Sequence, residues 1–452
     1  MDKKHSLQNT IVAIATAQGV SSLSVIRVSG EDALAVAHKI SRLKKIIPRH
    51  AHLSSLYNTS NALIDQAIVL YFAAPYSFTG EEIVEFQCHG GMIVAQEILD
   101  TILSYGVRLA QPGEFSKRAF LNGKIDLTEA EAIAKMIEAK SVDAAKILAK
   151  QMKGELKIFV EESREALLQS LAYSEVMIDY AEEDIPEDIM QNIRTQLSAL
   201  SLKMTQIVEA SHRRRGLIEG FKVAIIGKPN VGKSSLLNAF LNYDRAIVSD
   251  IAGTTRDTIE EQIRIGSHII RLVDTAGIRE SEDSIEKIGI ERSLRSVEDA
   301  DIIIALFDAS SAFDKKDAKI LTLLDTIKDK QIIVALNKSD LKNVFDVETL
   351  KGYTPLKVSV KKSFAALTDK LENFLDSIGK EEELMLISAR QIEAVNRAKN
   401  AIEEAKTPLI HGELEFFSYH LQEALKAISS ISKPYDSEEI LDTMFGEFCL
   451  GK

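Results

Sequence analysis

Four short motifs in the middle third of the chain carry residues suited to nucleotide chemistry. The first, Gly227-Lys-Pro-Asn-Val-Gly-Lys233-Ser234, has the spacing of a phosphate-binding loop and stands between an apolar run and a helical pattern. Gly227 and Gly232 let backbone amides approach phosphate oxygens. Lys233 supplies a point charge at the β and γ phosphates, and Ser234 supplies a hydroxyl suited to Mg²⁺, a hard ion that prefers oxygen. The second motif is Gly253-Thr254-Thr255-Arg256-Asp257 and the third is Asp274-Thr275-Ala276-Gly277. Asp274 suits a water-mediated Mg²⁺ contact, and the Gly277 amide suits the γ phosphate. The fourth, Asn337-Lys338-Ser339-Asp340, ends an apolar run. The Asp340 carboxylate can accept both the ring N–H and the exocyclic amine of guanine. Adenine lacks this donor pair and would leave a buried carboxylate without partners. Ser359-Val360-Lys361 stands where a last base-contacting loop is expected.

Ile278 follows the third motif, at the place where Ras-like enzymes carry a glutamine that orients the attacking water. An aliphatic side chain cannot hold a water, so a polar group must come from elsewhere. Glu286, in the segment 279–291, is the candidate.

The elements that must position these residues are legible as hydrophobic patterns. Between about 220 and 375, apolar runs at 223–226, 269–273, 302–307, 332–336 and 356–360 alternate with helical stretches, the pattern of a mostly parallel sheet with crossover helices. The first ~120 residues read as α+β, with strands at 10–16, 24–28, 67–72 and 83–87 and helices at 31–41 and 92–104. Thr128-x-x-Glu131 reads as a capping box. Long helices are expected at 156–179 and 186–212, separated by the acidic loop 182–188. Arg213-Arg214-Arg215-Gly216 reads as a helix end, with cations on the negative dipole and glycine as the cap; an RNA contact is the alternative. The tail from 384 is helical. The simplest architecture is a nucleotide domain inserted into a helical domain whose halves come from either side.

The 452 residues suggest about three domains. The net charge of −12 excludes a basic surface over the whole protein, so any nucleic-acid contact must use a local patch or a partner's field. Cys88 and Cys449 are too few for a disulfide framework, which points to a reduced, cytoplasmic setting. Cys88 has no metal-ligand spacing and reads as a core residue. Lys3 and Lys4 before the apolar run 11–17 faintly mimic a leader, but the run is short and reads as a first strand. No run is long enough to span a membrane.

The chain resembles the tRNA-modification GTPases of the MnmE (TrmE) type. The resemblance rests on the nucleotide motifs, on Ile278, and on the stretch Asp274-Thr-Ala-Gly-Ile-Arg-Glu through Glu286-Lys-Ile-Gly-Ile-Glu-Arg. Two signatures lie outside that region, Pro112-Gly-Glu-Phe-Ser-Lys-Arg-Ala-Phe-Leu-Asn-Gly-Lys124 and the terminal Cys449-Leu-Gly-Lys452. It covers essentially the whole chain. It implies a multidomain α/β protein: an N-terminal α+β tetrahydrofolate-binding domain (1–120), a helical domain from two segments (121–217 and 379–452), and an inserted Ras-like P-loop GTPase domain (218–378).

The resemblance also implies roles. Hydrolysis of GTP would be potassium-stimulated and coupled to dimerisation of the nucleotide domains. Asn230, with Ser249, Ile251 and Thr254, would hold K⁺, and Ser234 and Thr255 would hold Mg²⁺. Glu286 would position the water. Val231, Gly232, Lys233, Ser235, Asp250, Ala252, Gly253, Asp274, Thr275, Ala276, Gly277, Asn337, Lys338, Asp340 and Ser359 would complete the nucleotide contacts.

Arg27, Glu85, Lys124 and Lys452 would bind tetrahydrofolate, as the 5-formyl or 5,10-methylene form. A carboxylate suits the paired N–H donors of a pterin edge, and cations suit its glutamate tail. Arg27 and Glu85 also suit plain polar faces of strands. Cys449 is a candidate reactive residue; a lone cysteine is otherwise usually inert.

The implied reaction installs an aminomethyl or carboxymethylaminomethyl group at carbon 5 of the tRNA wobble uridine. A homodimer would act with an FAD-dependent partner of the MnmG (GidA) type, without a membrane. The chain has no dinucleotide fingerprint of its own, which fits FAD residing on the partner. The rival readings are a ribosome-assembly or other RNA-linked regulatory GTPase, a membrane-associated transport GTPase, and a dimerisation switch without folate. The first predicts a basic RNA-binding module after the nucleotide domain, and the tail has no KH-type Gly-x-x-Gly loop.

Overall fold

A computed structural model describes residues 10–17, 19–139, 141–179, 187–243, 261–273, 297–327, 330–350, 352–380, 383–433, 438–446, 448 and 451. The chain forms two compact units. One comprises Met1–Ala134, Met152–Arg164 and Leu425–Lys452; the other comprises Lys135–Gln151 and Glu165–Ala424.

The first unit is built on a six-stranded sheet: β1 (Ile11–Ile14), β2 (Leu23–Ser29), β3 (His52–Tyr57), β4 (Leu63–Phe72), β5 (Ile83–His89) and β6 (Arg108–Leu109), in the order β3-β4-β5-β2-β1-β6. Neighbours are antiparallel except β1 and β6. Strand alternation gives the sheet two chemically different faces. Val12, Ile26, Val28, Val84 and Phe86 form a core with residues of α1 (Ala33–Ser41) and α2 (Met92–Ser104). Ile11 and Ala13 belong instead to a small cluster with Phe115 of α3 (Glu114–Leu121). Cys88 lies in the α1–α2 core with 1% exposure, and burial pushes its thiol up to about 11.

α4 (Leu127–Glu138) opens on a capping box two residues earlier than expected. Asp126 Oδ1 accepts from Glu129 N–H at 2.9 Å, and Glu129 Oε2 accepts from Asp126 N–H at 2.8 Å. Both Asp126-x-x-Glu129 and Thr128-x-x-Glu131 fit the pattern. Thr128 is fully buried and donates to Asp126, so it supports the cap and does not form it.

In the second unit α5 (Val142–Met152, up to Gln151), α6 (Glu155–Asp179, of which the part to Arg164 belongs to the first unit and the rest from Glu165 to the second) and α7 (Glu187–Glu219) lead into a second sheet. Its strands are β7 (Phe221–Gly227), β8 (Glu261–Ile265), β9 (His268–Leu272), β10 (Ile302–Asp308), β11 (Gln331–Asn337) and β12 (Leu356–Lys357), in the order β12-β11-β10-β7-β9-β8. All pairs are parallel except β8 with β9. β10 is buried along its whole length because both faces are covered. On one face Val223, Ile225, Ile304 and Leu306 pack with α8 (Lys233–Tyr243) and α10 (Ala365–Gly379). On the other, Ala224, Ile226, Ala305 and Phe307 pack with α9 (Lys315–Asp325).

The expected helix end at Gly216 is a correction. α7 continues to Glu219, and the chain turns at Gly220 (φ +87°). A Cβ on Gly216 would lie 2.3 Å from the Phe221 ring, so glycine here permits close packing and is not a cap. Arg214 is buried and donates to Glu383 O at 2.7 Å, which removes it from any RNA contact. After the sheet, α11 (Ala389–His411) and α12 (Leu414–Ser429) follow. α7 packs along α11, and Ser174 of α6 meets Ser418 of α12 at 2.7 Å. α13 (Glu438–Gly446) belongs to the first unit.

Candidate nucleotide site and a second polar face

The chain order sets the position of the nucleotide site. From β7 the chain goes first to β8 and β9 on one side, then to β10, β11 and β12 on the other. The carboxyl end of β7 is therefore the topological switch point, where open α/β sheets bind ligands. Gly227 pairs with Leu306, and Asp308 pairs with Asn337, so three loops leave adjacent strand ends together. The loop 228–232 connects β7 to the amino end of α8, whose free N–H groups favour an anion.

Side chains from distant loops fix this loop. Asn337 Nδ2 donates to Val231 O at 2.8 Å, and Asn337 Oδ1 accepts from Val360 N–H at 3.1 Å. One amide thus ties the phosphate loop to the base-reading loop. Lys338 Nζ donates to Asn230 O at 2.9 Å and to Asp308 Oδ2 at 2.6 Å. Burial opposes the charged form of Asp308, but Lys338 and Ser310 hold its carboxyl below the usual range. Lys233 Nζ donates to Gly227 O at 2.7 Å and Lys228 O at 3.1 Å, and burial lowers its pKa. Asp340 Oδ1 accepts from Ser359 Oγ at 2.7 Å; this bond holds the carboxyl below its ordinary range and leaves Oδ2 4.0 Å from Lys362 Nζ. The donor and acceptor set fits a guanine nucleotide: a cradle of amides and a lysine for phosphates, and an oriented carboxylate for the base.

Gly232 makes the cradle possible. Its φ is +105°, and a Cβ there would lie 2.3 Å from Asn337 Nδ2. Gly232→Ala is expected to weaken GTP binding by about 30–1000-fold, through backbone strain of about 1–3 kcal/mol and a lost hydrogen bond of about 1 kcal/mol. Titration with a fluorescent guanine nucleotide checks this; unchanged affinity contradicts it.

Lys228, Asp308 and Asp317 were not singled out from sequence. Lys228 Nζ reaches Asp317 at 2.7 Å and Asp314 at 3.0 Å. These two acids form the reciprocal capping box of α9, so the second residue of the phosphate loop is clamped to that helix. The signal available in sequence was the Asp314-x-x-Asp317 spacing. Glu286, Ser249, Asp250, Ile251, Ala252, Gly253, Thr254, Thr255, Asp274, Thr275, Ala276 and Gly277, with Ile278, lie outside the described residues, as do Cys449 and Lys452.

The second polar face belongs to the first unit. Arg27 Nε donates to Glu85 Oε1 at 2.8 Å, and the two are cross-strand partners on β2 and β5. The Arg27 guanidinium stands 5.6 Å from the Phe115 ring centroid and 5.9 Å from that of Phe78. Both side chains of the pair keep part of their surface open, 24% and 16%. Buried Arg118 of α3 bridges Glu81 and Glu114 at 3.0 Å each, and Ser29 donates to Glu81 at 2.7 Å. Lys124 Nζ donates to Pro75 O at 2.7 Å, so Lys124 and the Arg27–Glu85 pair both border the segment 75–78. The chain end comes to the same sheet: a Cβ on Gly451 would lie 2.6 Å from Ile14 O at the end of β1. Phe445 of α13 packs near Phe120 of α3, with ring centroids 6.2 Å apart, and Lys117 pairs with Asp442.

A phosphate loop at the switch point of a mostly parallel sheet, beside an Asp oriented for guanine, defines a P-loop GTPase of Ras-like architecture. Comparison with known proteins gives the family. Residues 127–449 match the model of the MnmE helical domain, and residues 10–124 match that of the GTP-binding protein TrmE N-terminus. The tRNA modification GTPase MnmE of Sulfurovum sp. is 78% identical over 452 residues, covering 100% of both chains. That of Aliarcobacter butzleri is 58% identical over 444 residues, covering 98% of this chain and 99% of its own. Among solved structures, Era of Aquifex aeolicus bound to GDP and aluminium fluoride matches with 26% identity and a TM-score of 0.26. That match covers 40% of this chain and 66% of the other. The chain belongs to the MnmE family of tRNA modification GTPases. No helix among the described residues is long and apolar enough to cross a membrane.

Proposed function

We propose that this GTPase is potassium-stimulated and, in the cytoplasm, works as a homodimer with an FAD-dependent partner of the MnmG type. Together they modify carbon 5 of the wobble uridine of tRNA, using a tetrahydrofolate one-carbon unit. The domains proposed for this work are 1–120 for folate, 121–217 and 379–452 for the helical part, and 218–378 for GTP.

The observation that carries the folate reading is the Arg27–Glu85 pair. A carboxylate that meets an arginine through one oxygen, with the other oxygen left over, suits the paired N–H donors of a pterin edge. Lys124 and Lys452 are the cations proposed for the glutamate tail. A bound folate would supply the carbon, and Cys449 is proposed to lie near it.

In the nucleotide domain, Lys233 and the amides of 230–235 bind the phosphates. Ser234 and Thr255 are proposed for Mg²⁺, with Asp274 acting through water. Asn230, Ser249, Ile251 and Thr254 are proposed for K⁺, and Glu286 for orienting the attacking water that Ile278 cannot hold. A cation beside the phosphates offsets developing charge, as an arginine finger does elsewhere.

Binding of 5-formyltetrahydrofolate to the full chain tests the reading. Glu85→Ala is expected to weaken it at least about 10-fold, the scale of a lost charge-assisted hydrogen bond, with GTP affinity unchanged. No binding by the wild-type chain would leave a dimerisation switch without folate chemistry.

A further inference from the structure

We propose that the surface formed by the end of α1 and the loop to β3 is a docking site for the phosphodiester backbone of RNA. The proposal rests on tRNA being the substrate and adds where it touches this chain. The chain carries a net charge of −12, yet residues 33–64 contain no Asp or Glu. The same stretch holds Lys39, Arg42, Lys44, Lys45 and Arg49, together with three histidines. All five cations are exposed, and among the described residues none is paired with a carboxylate. A solvated surface of a strongly acidic protein ordinarily intersperses its charges, so this patch is the local exception that nucleic-acid binding by such a chain requires.

Part of the cluster has a local explanation. Lys39 and Arg42 stand at the carboxyl end of α1, where cations complement the helix dipole. That account stops at the cap. Lys44 and Lys45 lie beyond it, and neither has a partner among the described residues.

Two of the cations are held in place by rings. The Arg42 guanidinium lies 3.7 Å from the centroid of Tyr57, and Lys39 Nζ lies 5.2 Å from that of Tyr105. Arg49 donates to Tyr76 O at 3.0 Å. These contacts hold the charges apart on a short surface and leave donors free, which lowers the ordering cost of phosphate contact. Glu97 and Asp100 of α2 accept hydrogen bonds from Asn58 and Gln96, not from these cations. Contacts of this kind position RNA and do not read its bases.

The test is tRNA binding by the full-length chain, wild type and Lys39→Gln/Lys44→Gln/Lys45→Gln, measured by fluorescence anisotropy across a salt series. Neutralising three phosphate contacts should lower affinity at least about tenfold at 0.1 M salt and reduce the slope of log K against log salt by about 2–3. An unrelated structured RNA of the same length should lose the same factor, and GTP hydrolysis should be unchanged. Equal affinity and slope for the two proteins would overturn the proposal. So would a variant defect seen only with vesicles of anionic phospholipid, where exposed Ile47 beside the lysines would be the feature in use. A wild-type chain that holds no tRNA also overturns it, whatever becomes of the wobble-uridine chemistry, which nucleoside analysis reads separately.

Discussion

Asp340→Asn is expected to raise the KM for GTP by about 100–1000-fold and to make xanthosine triphosphate the better substrate. The carboxylate accepts two guanine N–H donors at once, and charge-assisted hydrogen bonds contribute about 1.5–3 kcal/mol each. An asparagine keeps one acceptor but turns its NH₂ toward a donor of guanine. Xanthine carries an oxygen where guanine carries its amine, so the NH₂ finds an acceptor. The loss of about 3–4 kcal/mol sets the expected factor. The swap works only because the side chain is already oriented: Ser359 Oγ donates to Oδ1, and Asn337 anchors the neighbouring Val360 amide. Ser359→Ala should therefore show a smaller loss of the same kind. Steady-state rates with both nucleotides check this, and an unchanged preference for GTP would contradict it.

The second large effect is ionic. Replacing K⁺ by Na⁺ is expected to depress turnover by about 100-fold or more, up to the roughly 10³–10⁵ that an arginine finger supplies. Asn230→Ala should remove the difference between the salts. Asn230 sits at φ +64°, a conformation asparagine tolerates better than most residues. Its carbonyl is engaged by Lys338, so any ion contact falls to its side chain. Because alanine also adds backbone strain there, the ratio of rates in the two salts is the readout, with GTP affinity measured alongside. Equal wild-type rates in K⁺ and Na⁺ would contradict the proposal.

The phosphate loop and the guanine motif were legible in sequence because their chemistry admits few substitutes. The parallel strands were legible because burial on both faces writes a continuous apolar run, as in β10. β3 and β8 were not. β8 reads Glu-Gln-Ile-Arg-Ile at a sheet edge, with too little alternation to separate it from a loop. The Lys228 clamp was invisible because its partners lie 86 and 89 positions away, and only the crossover through β10 brings α9 beside the phosphate loop. Gly216 misled for a related reason. A glycine after three arginines satisfies the local rule for a helix end, but the Phe221 ring that demands it belongs to the next strand. The pairing of Arg27 with Glu85 follows from cross-strand register, which no local pattern encodes.

All of these threads meet in the claim that guanine-nucleotide hydrolysis in this chain serves chemistry on tRNA. Mass spectrometry of tRNA nucleosides from cells in which Asp340→Asn replaces the wild-type chain tests it most directly. The account predicts that wobble uridines lose their carbon-5 aminomethyl or carboxymethylaminomethyl groups, as they would on deleting the gene. Fully modified wobble uridines in both strains would contradict it.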